Sequence, residues 1–206
     1  MKKAILIPAL IVLGAAPVAA APPSLTLTAS PTVVTYGSSS TLSGTLSTHK
    51  SGESIDIQSE ECGQPAFKKL ASVTTTTGGA FSYAAKPTIK TAYRAREKGA
   101  TSPTVTVSVA PLLSLKRLAL GKFRVSATAA QSFVGKYVVF QRFRNSKWVS
   151  LKKVTLTTVK TTTAPTQVSS AGFRMRLKAR LRVRAILPAT QAGTCYLPAK
   201  SKVIRS

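Results

Sequence analysis

Residues 104–109 read TVTVSV, with Val105, Val107 and Val109 alternating with Thr104, Thr106 and Ser108. The same texture opens the mature chain, where Leu25, Leu27 and Ala29 alternate with Thr26, Thr28 and Ser30. Successive side chains of an extended chain point to opposite faces, so a period of two over four to eight residues marks a strand with one buried face. Gly78-Gly79 and Pro87-Thr88 punctuate the runs as turns. No segment of helical length carries a 3.6-residue apolar period. The chain beyond residue 23 is therefore read as all-β.

Seven strands are expected in the first part of the chain, at 25–29, 40–46, 54–59, 67–73, 80–85, 91–97 and 104–109. Sliding the chain along itself predicts a second copy. A shift of 83 places Leu42, Gly44 and Leu46 over Val125, Ala127 and Ala129, and Gln58 over Gln141. A shift of 81 places Phe67, Leu70 and Val73 over Trp148, Leu151 and Val154, and further on Arg94-Ala95 matches Arg184-Ala185. Two units follow, 21–109 and 110–206, each long enough to close a small core. Seven short strands in about 90 residues point to an immunoglobulin-like β-sandwich, with a small barrel as the alternative. Tyr93 lies near the start of the sixth strand, where such sandwiches place a tyrosine corner.

Tyr36-Gly37, Leu42-Ser43-Gly44, Gly52 with Ile55 and Ile57, Phe67, Leu70 and Val73, Gly79-x-Phe81 and Thr91-x-Tyr93-Arg94-Ala95 resemble the tandem bacterial immunoglobulin-like repeats of secreted proteins. The resemblance covers the first unit nearly end to end. Its motifs belong to the fold and imply a non-catalytic extracellular module without naming a ligand. The second unit departs from it: Val183 stands where Tyr93 stood, and 155–172 is an insertion read as an extra edge strand or a long loop.

Residues 1–20 read as a signal peptide, with Lys2-Lys3, an apolar run from Ala4 to Leu13, and Val18-Ala19-Ala20 at the cleavage site. No later segment is long and apolar enough to span a bilayer, so the expected location is secreted or envelope-associated. Between the two units only Ala110-Pro111-Leu112 is expected as linker, which predicts a stiff joint. In an immunoglobulin-like topology Cys62 lies in the loop after the third strand, and Cys195 in the loop before the last. Those loops face each other across the joint, so an interdomain disulfide is expected in an oxidising compartment. Two unpaired thiols or an intermolecular bridge are the alternatives.

Thirty Lys and Arg stand against five acids, one His and two Cys, for a formal charge of +25. Glu53, Asp56, Glu60, Glu61 and Glu97 all fall in the first unit, which has eight Lys or Arg and a net +3. Residues 110–206 hold twenty Lys or Arg and no acid. The richest stretch is FRMRLKARLRVRA at 173–185, in which Arg174, Arg176, Lys178, Arg180, Arg182 and Arg184 alternate with apolar residues. Strand geometry sends these six cations outward. The fifth and sixth strands of a sandwich belong to opposite sheets, so a corner is expected near Lys178 or Ala179, with the cations wrapped around the domain.

Such a surface fits diffuse, salt-sensitive association with anionic cell-envelope polymer or polysaccharide. A solvated basic surface with a purely structural or accessory role, binding a protein partner through loops, is the runner-up. Nucleic acid is disfavoured by export and by the absence of zinc-finger spacing, a major-groove helix or a clear aromatic–basic stacking platform. Catalysis has little material. His49 is the lone histidine, in a polar loop, Asp56 is the sole aspartate, and no nucleophile elbow, phosphate-cradling loop or His-Glu-x-x-His pair occurs. Neither a metal site nor a cofactor is expected, since two cysteines without clustered His or carboxylates make no ligand set.

Overall fold

The computed structural model describes residues 22–206; the signal peptide read over 1–20 lies outside the described residues. The first half contributes β1 (Thr28–Ser30), β2 (Val33–Thr35), β3 (Ser40–Thr45), β4 (Ser54–Glu61), β5 (Lys68–Thr74), β6 (Ala80–Ala85), β7 (Thr91–Glu97), β8 (Ala100–Thr101) and β9 (Val105–Ala110). One sheet runs β1-β3-β6, and the facing sheet runs β2-β9-β7-β4-β5 with β8 folded back on β7. The second half contributes β10 (Leu112–Ala119), β11 (Lys122–Ala129), β12 (Tyr137–Arg144), β13 (Lys147–Thr155), β14 (Thr158–Thr161), β15 (Gln167–Arg174), β16 (Arg182–Leu187), a one-turn helix α1 (Ala189–Ala192), β17 (Ala199–Lys200) and β18 (Ile204–Arg205). Its sheets run β10-β11-β15-β14 and β13-β12-β16-β17, with β18 also on β16. These are the strand orders of immunoglobulin-like sandwiches: in the first half β1, β3 and β6 meet β4, β7 and β9 only face to face.

Alternation decides which side chains enter the cores. Leu42, Ile55, Ile57, Ala95, Val107 and Val109 are fully buried in the first half, and Val125, Ala127, Val138, Phe140, Val183 and Leu187 in the second. Each such burial contributes about 1.5–3 kcal/mol for the larger side chains. Phe123, Phe140 and Phe173 form an aromatic cluster in the second core, with centroid separations of 5.2, 5.6 and 5.0 Å. Both halves carry the same β-bulge. Leu70 is the extra residue opposite Ile57/Gln58, and Leu151 the extra residue opposite Phe140/Gln141. The bulge turns Leu70 out, leaving it 45% exposed despite its apolar character.

Two details differ from the sequence reading, the path after Pro31 and the tyrosine corner, and a third decides between its alternatives for 155–172. After Pro31 the chain crosses to the opposite sheet, where β2 pairs parallel with β9; three residues are too few for a visible alternation. The insertion at 155–172 carries an edge strand, β14, antiparallel to β15. The tyrosine corner is not formed. Tyr93 is buried, which pushes its hydroxyl up to about 12. Among the described residues, however, that hydroxyl makes no bond to the backbone upstream. The Thr91 hydroxyl instead donates to the Ile89 carbonyl at 2.7 Å, closing that turn without it.

The joint is tighter than the expected three-residue linker, because Pro111 alone separates β9 from β10. Cys62 and Cys195 form a disulfide with Cα atoms 5.6 Å apart. Around it, the β16–β17 connection is tied to the first sandwich. The Leu197 N–H donates to the Val109 carbonyl at 2.8 Å, and the Lys90 N–H to the Cys195 carbonyl at 3.1 Å. The Tyr196 hydroxyl donates to the Thr88 carbonyl at 2.9 Å and accepts from the Ala130 N–H at 3.1 Å. Burial pushes this hydroxyl up to about 12.

Gly79 supplies a local test of the fold. Its φ is +74°, and an added Cβ would lie 2.6 Å from the Leu46 carbonyl oxygen. The neighbouring Gly78 has a similar φ of +76° but open space around it. Gly79→Ala is expected to cost about 2 kcal/mol or more, against about 1 kcal/mol for Gly78→Ala. Denaturant midpoints of the two variants check this; equal losses would show that backbone strain alone matters.

Candidate polyanion-binding surface

The two halves differ in how their charges are compensated. All three ion pairs among the described residues lie in the first sandwich: Lys69–Asp56 at 2.8 Å, Lys98–Glu97 at 3.0 Å and Lys98–Glu53 at 3.3 Å. Hydrogen bonds from Lys69 and Ser72 hold the Asp56 carboxyl below its ordinary range, and Glu97 with Glu53 holds the Lys98 ammonium above its own. The second sandwich has no carboxylate side chain, so its twenty cations have no side-chain counterion.

The six cations of 173–185 divide as follows. Arg174 ends β15 in one sheet, and Arg182 and Arg184 lie on β16 in the other. Arg176, Lys178 and Arg180 occupy the connection at 175–181, which has left strand geometry, with Arg180 at φ +65°. The expected corner is thus a seven-residue connection, because Ser206 binds its backbone. The Arg180 N–H donates to the Ser206 carbonyl, and the Ser206 hydroxyl donates to the Lys178 carbonyl at 2.7 Å. Arg174, Arg176, Lys178, Arg180 and Arg182 are exposed.

Arg184 points outward as expected, yet it is not a free cation. Its guanidinium lies 4.0 Å from the centroid of the Trp148 ring, and its Nε–H donates to Gln141 Oε1 at 3.0 Å. Partial burial there lowers its pKa. Arg182 lies 4.6 Å over Phe143, whose ring is 5.2 Å from that of Trp148. An aromatic–basic face therefore exists, contrary to the sequence reading. Strand pairing assembles it, with Phe143 opposite Trp148 and Gln141 opposite Arg184. Each ring has one face covered by an arginine of the same chain, which leaves less room for a stacked base. The first sandwich holds the same arrangement: Arg94 lies 4.2 Å over Phe67 and donates to Gln58 Oε1 at 2.7 Å.

Two further cations come from a segment the sequence reading passed over. Arg142 and Arg144 flank Phe143 at the end of β12, just before the turn at Asn145-Ser146, both at positive φ. Such a pair is the signature of a two-residue hairpin turn, so the run Arg142-Phe143-Arg144 before Asn145-Ser146 was a legible signal. Arg142, Arg144, Arg176 and Lys178 line an open groove of about 500 Å³, with Phe143, Leu177 and Leu181 as its apolar wall. The groove lies at the pole away from the first sandwich. Here β12 and β15 end and β16 begins, while the β16–β17 connection at the opposite pole carries Cys195. Arg142 pairs in register with buried Val183 and so points to the core side. Its Nε is a buried side-chain donor without a hydrogen-bond partner, the one such atom among the described residues.

His49 lies in an exposed turn with Nδ1 3.1 Å from the Gly78 carbonyl oxygen. Among the described residues no three His, Cys, Asp or Glu side chains cluster as metal ligands, and no helix is long and apolar enough to cross a membrane.

No known family model matches the sequence, and no curated protein is similar to it. Among solved structures the chain is similar to the crystal structure of bovine butyrophilin, at 11% identity over 87% of this chain and 98% of that one, with a TM-score of 0.32. The immunoglobulin-like assignment rests on the strand orders and pairings described above.

Proposed function

We propose that this chain is an exported, non-catalytic protein of two tandem immunoglobulin-like domains, 21–109 and 110–206, and that the second domain associates with anionic cell-envelope polymer. The observation that carries the reading is the second sandwich's uncompensated charge. Its cations reach both sheets and the far pole, and no acidic side chain in that half competes for them. Many weak phosphate or carboxylate contacts add up on such a surface and release counterions, so binding weakens steeply with salt. The disulfide fits an oxidising compartment outside the cytoplasm.

The test uses residues 21–206 intact, because the disulfide ties the halves. Retention on isolated cell envelope is measured from low to high salt, beside a variant carrying Arg174→Gln, Arg176→Gln, Lys178→Gln and Arg180→Gln. Wild-type retention is expected to fall by roughly tenfold or more from 50 to about 200 mM salt, with a shallower slope for the variant. Retention that ignores salt, or a variant as strongly held as wild type, defeats the reading.

A further inference from the structure

We infer that the groove between the β12–β13 turn and the β15–β16 connection is a phosphoryl-binding site, which seats one phosphate of an anionic polymer among Arg142, Arg144, Arg176 and Lys178. This deepens the envelope-polymer reading, on which it rests, by naming the group recognised and the place that recognises it. Two segments distant in sequence bring four like charges to one recess, and no acidic side chain of the second sandwich offsets them. That arrangement repels itself until an anion enters.

The number of donors favours phosphate over carboxylate. Three guanidinium forks and an ammonium present more N–H groups than the two oxygens of a carboxylate can accept, whereas a phosphate within a polymer adds two bridging oxygens to its two charged ones in a tetrahedral array. Arg142 supplies an independent sign of a ligand. Its Nε–H is buried and unpaired while the residue lines the groove, a costly state that an anion drawing the guanidinium outward would relieve. Phe143, Leu177 and Leu181 line the same recess, so contacts there lie against low-dielectric side chains and are screened less than those on the open strands.

The experiment follows the arginine Nε–H resonances of residues 21–206 during titration with inorganic polyphosphate at constant ionic strength. The Arg142 resonance is expected to shift and saturate. The exposed pair Arg144→Gln/Lys178→Gln should weaken polyphosphate binding roughly tenfold, and Lys116→Gln/Lys160→Gln, an equal charge loss on the outer face of β10 and β14, less than about twofold. Because the first pair is at the surface, the outcome does not depend on whether Arg142→Gln folds. Equal weakening by both pairs, or polygalacturonate bound as tightly at equal charge, overturns the site. So does a preference for phosphatidylglycerol vesicles at equal phosphate. Equal weakening with salt-sensitive envelope retention intact removes the groove alone. Loss of envelope retention with selective polyphosphate binding intact removes the envelope reading alone.

Discussion

Removing the Cys62–Cys195 crosslink, by reduction or by Cys62→Ser with Cys195→Ser, is expected to lower the stability of the chain by up to about 5 kcal/mol. The cysteines are 133 residues apart, and chain-entropy arguments give about 5 kcal/mol for closing a loop of that length in the unfolded state. The closed loop contains β5 through β16, hence parts of both sandwiches. The loss therefore appears in unfolding that releases the two together. The joint keeps its hydrogen bonds from Leu197, Lys90 and Tyr196 when the sulfurs are parted, so the native fold should persist under reducing conditions with a lower denaturant midpoint. Unfolding curves with and without reductant, together with proteolysis around Pro111, measure the effect. An unchanged midpoint, less than about 1 kcal/mol apart, would mean that the unfolded chain gains nothing from the release.

Phe140→Ala carries the second large effect. Phe140 is fully buried between Phe123 at 5.2 Å and Phe173 at 5.0 Å. Truncation leaves a cavity bounded by two rings that β-sheet pairing holds in place, so the site collapses little. The expected cost is about 3–5 kcal/mol, a large share of the stability of a sandwich this size. Phe140→Leu, which keeps most of the volume, should cost under half as much. Trp148 is the only tryptophan and lies in the second sandwich, so its fluorescence reports unfolding of that half. Equal midpoints for Phe140→Ala and wild type would show that the aromatic cluster is not part of a tightly packed core.

Much of this architecture was legible because it depends on local rules. Alternation at 104–109 and along 122–129 places Val107, Val109, Val125 and Ala127 inside, whatever the strands pair with. The pairing of Cys62 with Cys195 followed from which loops an immunoglobulin-like topology brings to one joint. Residues 173–185 were harder. Their alternation correctly put Arg174 and Arg182 outside and placed a corner near Lys178 or Ala179, but the whole of 175–181 leaves strand geometry, with Ser206 bonded to its backbone. Arg184 also pointed outward as expected, though Trp148 waits across the sheet to cover it.

By itself, then, the sequence determined the strand-rich fold, the side chains that fill each core, and a charge confined to the second half, since all three depend on spacing and composition along the chain. Only the tertiary structure decided which cations act together. Arg142 and Arg144 meet Arg176 and Lys178 because β12 and β15 end at the same pole of the sandwich. A strand's own pattern specifies which way its side chains face, whereas its neighbours across the fold are chosen by sheet order and loop path, which no local period encodes.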